Sequence, residues 1–224
     1  MTDCIIIDIE TRPDPRIWDD PEVVEEILEG IEAPANYKDP AKIEAYATDK
    51  LAKMKANAAL DPKVGKVACV GLMPLDAPEG SHAVPYGEDE PQVLRDAIRI
   101  LNSIAPSGAL LGGYYLREFD VPFLAYRCAV HEIELPDWWP NRRDWSRIVD
   151  PCDLFPKDQA GSLQSHLRAM GLPRKTLSGK ESLDLPLPEL AEYCANDVKV
   201  EAALIQRLRR RFPMLNPCKK ELSA

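Results

Sequence analysis

The chain opens on an apolar run that ends in acid. Cys4 to Ile9 carries isoleucine at 5, 6, 7 and 9, the composition of a strand buried on both faces, and its far end reads Asp8-Ile9-Glu10-Thr11. Side chains alternate across a strand, so Asp8 and Glu10 share one face, about 7 Å apart at the backbone. Two like charges at the tip of a hydrophobic strand repel and are poorly solvated. The pair persists where the carboxylates bind a cation or where one of them holds a proton. A strand tip that simply leaves the core for solvent accounts for the two residues equally well. Arg12-Pro13-Asp14-Pro15 then stops the strand.

Beyond that stop the period changes. Val23, Val24, Ile27, Leu28 and Ile31 recur at helical spacing, and so do Ile43, Tyr46, Ala47, Leu51 and Met54, with a proline-bearing loop over 33–40 between them. Strand character returns at Lys66 to Leu75, with Ser81 to Tyr86 as a hairpin partner. The roughly fifty residues between the first two strands exceed any ordinary connection and form a helical insertion at about 14–62. Gln92 to Ile104 predicts an amphipathic helix, Ala109 to Tyr115 a buried strand and Phe119 to Val130 a helix entered at Asp120-Val121-Pro122. Arg147 to Asp150 reads as a short edge strand. Ser162 reads as the N-cap of a helix stopped by Gly171, and a long amphipathic helix runs from Leu187 or Pro188 to about Phe212. The expectation is an α/β domain: a mixed five-stranded sheet flanked by helices, with the helical insertion between its first two strands.

Composition narrows the function classes. A chain of 224 residues, 45% hydrophobic and 29% charged, is an ordinary globular protein able to bury a core. No run approaches the roughly 18 apolar residues of a membrane span, and no basic region precedes the isoleucine run, so the expected location is the cytoplasm. The six cysteines are scattered without a close pair, which favours free, mostly buried thiols over a disulfide framework or thiolate metal site. A net charge of −9 argues against a protein that coats nucleic acid. It leaves room for an enzyme acting at a nucleic-acid end, where bound cations meet the phosphate.

Two further acids stand in telling places. Asp120 lies at a strand-to-helix junction between apolar neighbours, a position that also suits a helix N-cap. Tyr193 and Asp197, four apart, share one face of the last helix, a pairing any helix produces by chance. Taken together, the order DxE…FD…YxxxD, carried by IIIDIET, GGYYLREFDVPFL and EYCANDVKVEAAL, resembles the DEDD superfamily of 3′→5′ exonucleases in its tyrosine (DEDDy) branch. VDPCDLFP followed by LQSHLRAMGLPRK is similar to the segment before the last motif in exonuclease domains of family-B DNA polymerases. NYKDPAKIEAY and ALDPKVGKVACVG are similar to the insertion of small stand-alone phage and bacterial relatives. Nearly the whole chain is covered. A histidine-type member would carry histidine four or five residues before Asp197; His82, His131 and His166 lie elsewhere.

The resemblance implies an RNase H-like fold and a single exonuclease domain over 1–224. It implies two divalent ions, Mg²⁺ or Mn²⁺, with Asp8 bridging both, Glu10 and Asp197 completing the first and Asp120 holding the second. Tyr193 would orient the attacking water, its reference pKa of about 10 making it a poor base at neutral pH. Ile9 and Thr11 would touch the terminal nucleotide. Many relatives have asparagine where Tyr115 stands, five residues before Asp120, so this substrate-side position departs from the pattern while the four acids are intact. Nucleoside 5′-monophosphates would be released from the 3′ ends of single-stranded DNA, with RNA also open as a substrate and a DNA polymerase or replication machinery as partner.

Weaker signals have blander readings. Lys38, Lys42, Lys50, Lys53 and Lys55 read as solvated helix faces before they read as a strand path, and Arg207, Arg209, Arg210 and Arg211 suit a helix C-terminus. Trp138, Trp139 and Trp145 read as a packed cover over the sheet. Two competing readings remain. The DIET end is similar to the DxDxT signature of haloacid-dehalogenase-like phosphatases, whose second acid is aspartate. A non-catalytic nucleic-acid-binding replication accessory protein could also keep such a fold.

Overall fold

The computed structural model describes residues 3–78, 80–105, 108–154, 161–177, 181–212 and 215. Cys218, one of the six cysteines, and the end of the VDPCDLFP segment lie outside them. The chain divides into two compact units, one of residues 1–10 and 67–224, the other Thr11–Lys66.

The smaller unit is helical: α1 (Pro15–Trp18), α2 (Pro21–Glu29) and α3 (Pro40–Ala56), then a 3₁₀ turn at Ala58–Leu60. Each helix starts at an Asp-Pro pair. Asp14, Asp20 and Asp39 are the N-caps, each accepting from a backbone N–H of the first turn, and proline follows where its missing N–H costs nothing. Buried Trp18 donates its indole N–H to the Val64 carbonyl at 2.9 Å. No residue of α2 or α3 is buried.

The sheet belongs mostly to the larger unit, its residues 11–13 and 65–66 falling in the smaller. Its strands are β1 (Cys4–Pro13), β2 (Gly65–Pro74), β3 (Leu110–Gly112) and β4 (Ile148–Val149), in the spatial order β2-β1-β3-β4. β1 pairs with β3 and β3 with β4 in parallel, Ile5 opposite Leu111 and Leu111 opposite Ile148. The five strands expected are four among the described residues. The stretch Ser81–Tyr86 meets β2 only through isolated antiparallel bridges, Leu72 with Ala83 and Cys69 with Tyr86. Pro85 accepts from the Val70 N–H but has no N–H to return, so the ladder breaks there.

Helices α4 (Glu90–Ile104), α5 (Asp120–Val130), α6 (Leu163–Ala169) and α7 (Leu187–Arg209) flank this sheet. Alternation along β1 sorts its faces. Ile5, Ile7 and Ile9 pack with Val93, Leu94 and Leu101 of α4 and Phe123 and Leu124 of α5. Cys4 and Ile6 pack with Val198, Ala202 and Ile205 of α7 and Leu163 and Leu167 of α6. Each fully buried isoleucine or leucine contributes about 1.5–3 kcal/mol. α7 comes close because two facing positions lack side chains: a Cβ on Gly71 would stand 2.7 Å from Val198 Cγ1, and one on Gly112 would stand 2.9 Å from Ile6 Cδ1 and 3.1 Å from Ile205 Cδ1. The tryptophans are a cover, as expected: Trp139 is buried and Trp138 and Trp145 pack against the same cluster. No described helix is long and apolar enough to cross a membrane.

A buried polar knot ties α4 to α5. Glu90, 3% exposed, accepts from the Val67 N–H at 2.7 Å, from Arg127 Nε at 2.9 Å and from Arg127 Nη2 at 2.5 Å, with His131 Nε2 at 2.7 Å. Removing one partner strands a buried charge, which costs far more than the pair contributes. Arg127→Met is therefore expected to lower unfolding free energy by about 3–5 kcal/mol in urea denaturation. The double variant with Glu90→Gln should recover part of that loss, and a loss below about 1 kcal/mol in the single variant would remove the knot from the stabilising interactions.

Candidate metal centre

β1 delivers the first two acids. Since Cys4 and Ile6 face α7, the pleat puts Asp8 and Glu10 on the α7 side as well. α7 brings Asp197 to meet them. Asp8, Glu10 and Asp197 each offer an oxygen within 4.8 Å of the others, an arrangement that could hold a metal ion. Asp197 is fully buried, whereas Asp8 and Glu10 keep some exposure. Asp120 enters differently. Phe119 takes the N-cap position of α5 without a side-chain cap, and Asp120 Oδ1 instead accepts from the Ile9 N–H at 3.0 Å. The capping reading of Asp120 therefore does not describe its carboxylate, which is tied to the strand tip between Asp8 and Glu10.

The electrostatics follow from crowding. Burial and then the Asp197 charge push Asp8 up to about 7, against the pull of Lys175 and a hydrogen bond from the Cys194 thiol, 3.5 Å from Oδ2. Glu10 is raised well above the ordinary range by burial and then by Asp8, and Asp120 by burial and then Asp8. Asp197 is raised by burial, with Lys175 opposing. Lys175 Nζ lies 2.5 Å from Asp197 Oδ2 and 5.2 Å from the centre of the Tyr193 ring. Burial pulls that ammonium down, but the Asp197 and Asp8 charges outweigh it and hold it protonated. Tyr193 is buried, and burial followed by the Asp197 charge raises its phenol, so it stays a hydrogen-bond donor at neutral pH.

The residues expected on the substrate side are placed variously. Ile9 is buried and its N–H is committed to Asp120. Thr11, in the smaller unit, donates its hydroxyl to the Ala59 carbonyl at 2.5 Å. Tyr115 is exposed and sits at φ +65°, a left-handed conformation that favours asparagine or glycine over tyrosine. Buried Asp150, just after β4, holds that turn: it accepts from the N–H groups of Tyr115 at 3.1 Å, Arg117 at 3.2 Å and Cys152 at 3.0 Å.

Sequence reasoning missed four contributors. Lys175 was visible only as part of a motif, and Ser182 Oγ, which donates to Glu10 Oε2 at 3.1 Å, gave no signal. Cys194 was only counted among the thiols. Glu201, 3% exposed, lies one turn beyond Asp197, and a charge on the buried stripe of the last helix was the clue to it. The donor set suits a cation: oxygen ligands dominate, and Lys175 is the ammonium compensating several carboxylates.

Comparison with solved structures places this architecture. The family B DNA polymerase of the hyperthermophilic archaeon Pyrobaculum calidifontis matches over 92% of this chain at 17% identity with a TM-score of 0.56. The likeness is one of fold. The chain spans about a quarter of that polymerase, 24% of its length. No family model and no curated protein matches the sequence.

The raised carboxyls set a pH signature. Asp8 binds its proton more tightly folded than unfolded, so between its ordinary range and about 7 the folded state holds more protons and stability falls as pH rises. In chelator, the melting temperature is expected to drop from about pH 5 to about pH 8, and Mn²⁺ to raise it more at the higher pH. Asp8→Asn should flatten both effects; an unchanged pH slope in that variant would show that Asp8 does not carry them.

Proposed function

We propose that the chain is a metal-dependent 3′→5′ exonuclease of the tyrosine branch of the DEDD superfamily, with an RNase H-like fold. One exonuclease domain over 1–224, carrying the helical insertion at about 14–62, acts in the cytoplasm on nucleic-acid 3′ ends. Single-stranded DNA is the expected substrate, alongside a DNA polymerase or replication machinery. The observation that carries the reading is the meeting of Asp8 and Glu10 with Asp197, almost two hundred residues away, in the order and context of the exonuclease motifs. A fold shared with 24% of the length of a family B polymerase supports it, since the motifs of this chain resemble those of the exonuclease domains of such polymerases.

In this reading Asp8, Glu10 and Asp197 would hold one Mg²⁺ or Mn²⁺, and Asp8 with Asp120 would hold a second. When bound, such ions lower the pKa of the attacking water and stabilise the departing 3′-oxygen. Hydrolysis adds water across the terminal P–O3′ bond and leaves the phosphate on the released nucleotide. Tyr193, kept protonated, donates a hydrogen bond that orients the water or the scissile phosphate. Lys175 offsets the carboxylate charge beside it. The terminal nucleotide would be touched around Ile9, Thr11 and Tyr115, of which Tyr115 has its ring exposed enough to stack on a base.

Incubation of 5′-labelled single-stranded DNA with Mg²⁺ or Mn²⁺ tests this directly. Stepwise shortening with nucleoside 5′-monophosphate release is expected, abolished by chelator, with duplex, mismatched-end DNA and RNA run alongside to set preference. Asp8→Ala and Asp197→Ala should each lower the rate on the order of a hundredfold or more without unfolding the protein. Tyr193→Phe should lower kcat about tenfold with KM little changed. A strand that is retarded but never cut would mark a binding protein instead.

A further inference from the structure

Beyond Asp197, the helix that carries it holds a second acid for which the exonuclease reading has no use. Glu201 lies on α7 one turn further on, and Tyr193, Asp197 and Glu201 continue one face at intervals of four residues. It is 3% exposed, its side chain flanked along the helix by the buried Val198, Val200, Ala202, Leu204 and Ile205. Among the described residues its Oε2 has no hydrogen-bond partner. A glutamate in so apolar a stretch, with an oxygen left open, is a poor packing residue; leucine or glutamine would serve the core better.

On that face, one turn past Asp197, Glu201 feels the charge of Asp8 first, then those of Asp120 and Asp197, with Lys175 opposing. Burial and these neighbours raise it well above the ordinary glutamate range. Among the described residues, Asp8, Glu10, Asp120, Asp197 and Glu201 are five carboxyl groups whose charges are opposed by the ammonium of Lys175. Fully ionised, five against one leaves four negative charges, which two divalent ions balance. With the four motif acids alone, the same two ions and Lys175 would leave one positive charge over.

We propose that Glu201 is a fifth carboxylate of this centre, offering its open oxygen to one of the two divalent cations. This rests on the exonuclease reading for the presence of two ions, and it extends that reading to a residue outside the motifs. Hard oxygen donors select Mg²⁺ or Mn²⁺.

The test uses the full chain stripped with chelator and titrated with Mn²⁺ alone, followed by electron paramagnetic resonance and calorimetry. Wild type is expected to take up two ions. Glu201→Gln, its fold checked by circular dichroism, should keep one and bind the other at least about tenfold more weakly. Without metal the same variant should melt higher than wild type, because a buried carboxyl with an unpartnered oxygen has been replaced by a neutral amide. Should Glu201→Gln fail to fold, Glu201→Asp keeps the charge and withdraws the oxygen by one methylene, and the same ion should weaken by about tenfold. Wild-type affinity for both ions in the variant tested overturns the role of Glu201 and leaves the exonuclease reading standing. A wild-type chain that binds no Mn²⁺ overturns both.

Discussion

Mutual repulsion among carboxylates packed under a helix is the interaction on which the rest of this molecule turns. Asp8 and Glu10 lie on a strand whose residues Cys4 to Ile7, Ile9 and Thr11 are buried, and Asp197 comes down on them from a helix held by apolar contact with that same strand. Left to themselves, these charges would drive strand and helix apart. The apolar stripe of α7 resists this, seated closely because Gly71 and Gly112 present no side chain. Hydrophobic burial further down the sheet thus holds together an end of the sheet that electrostatics opposes. Protons and Lys175 relieve that opposition, and a cation held there would relieve it further.

The surrounding framework is correspondingly stiff. Asp120 is fixed to the backbone of Ile9 rather than left to cap its own helix. Asp150 gathers three backbone N–H groups and so shapes the turn that carries Tyr115 in a left-handed conformation and leads to Asp120. At the other end of α5, the Glu90–Arg127 pair ties that helix to α4 and to the Val67 N–H of β2. Each acid of the centre therefore sits on an element that is anchored elsewhere, which is what a pre-organised cation site requires.

Much of this was legible in the chain. The isoleucine run, the strand at Lys66–Leu75, the capped helix after Ser162 and the long last helix emerged near their expected bounds, because apolar periodicity and capping chemistry are local signals. The fifth strand did not emerge: alternation at Ser81–Tyr86 was read correctly as pairing with β2, but Pro85 cannot sustain a ladder. Asp120 suited a helix cap and a site residue at once, and the fold shows that its carboxylate does not cap α5 but accepts from the Ile9 N–H.

What the sequence determined by itself was the inventory: which acids lie on strand tips or helix faces, and in which order. A strand's period of two dictates that Asp8 and Glu10 share a side, and a helix's period dictates that Tyr193, Asp197 and Glu201 do. Which side of the strand meets which face of the helix depends on packing across many residues of separation. Tertiary structure alone therefore decided that Asp197 meets Asp8, that Glu201 is buried, that Lys175 pairs with Asp197, and that Ser182 reaches Glu10. Burial set the charge of the centre, since desolvation is a property of the folded surroundings and no residue carries it in its name.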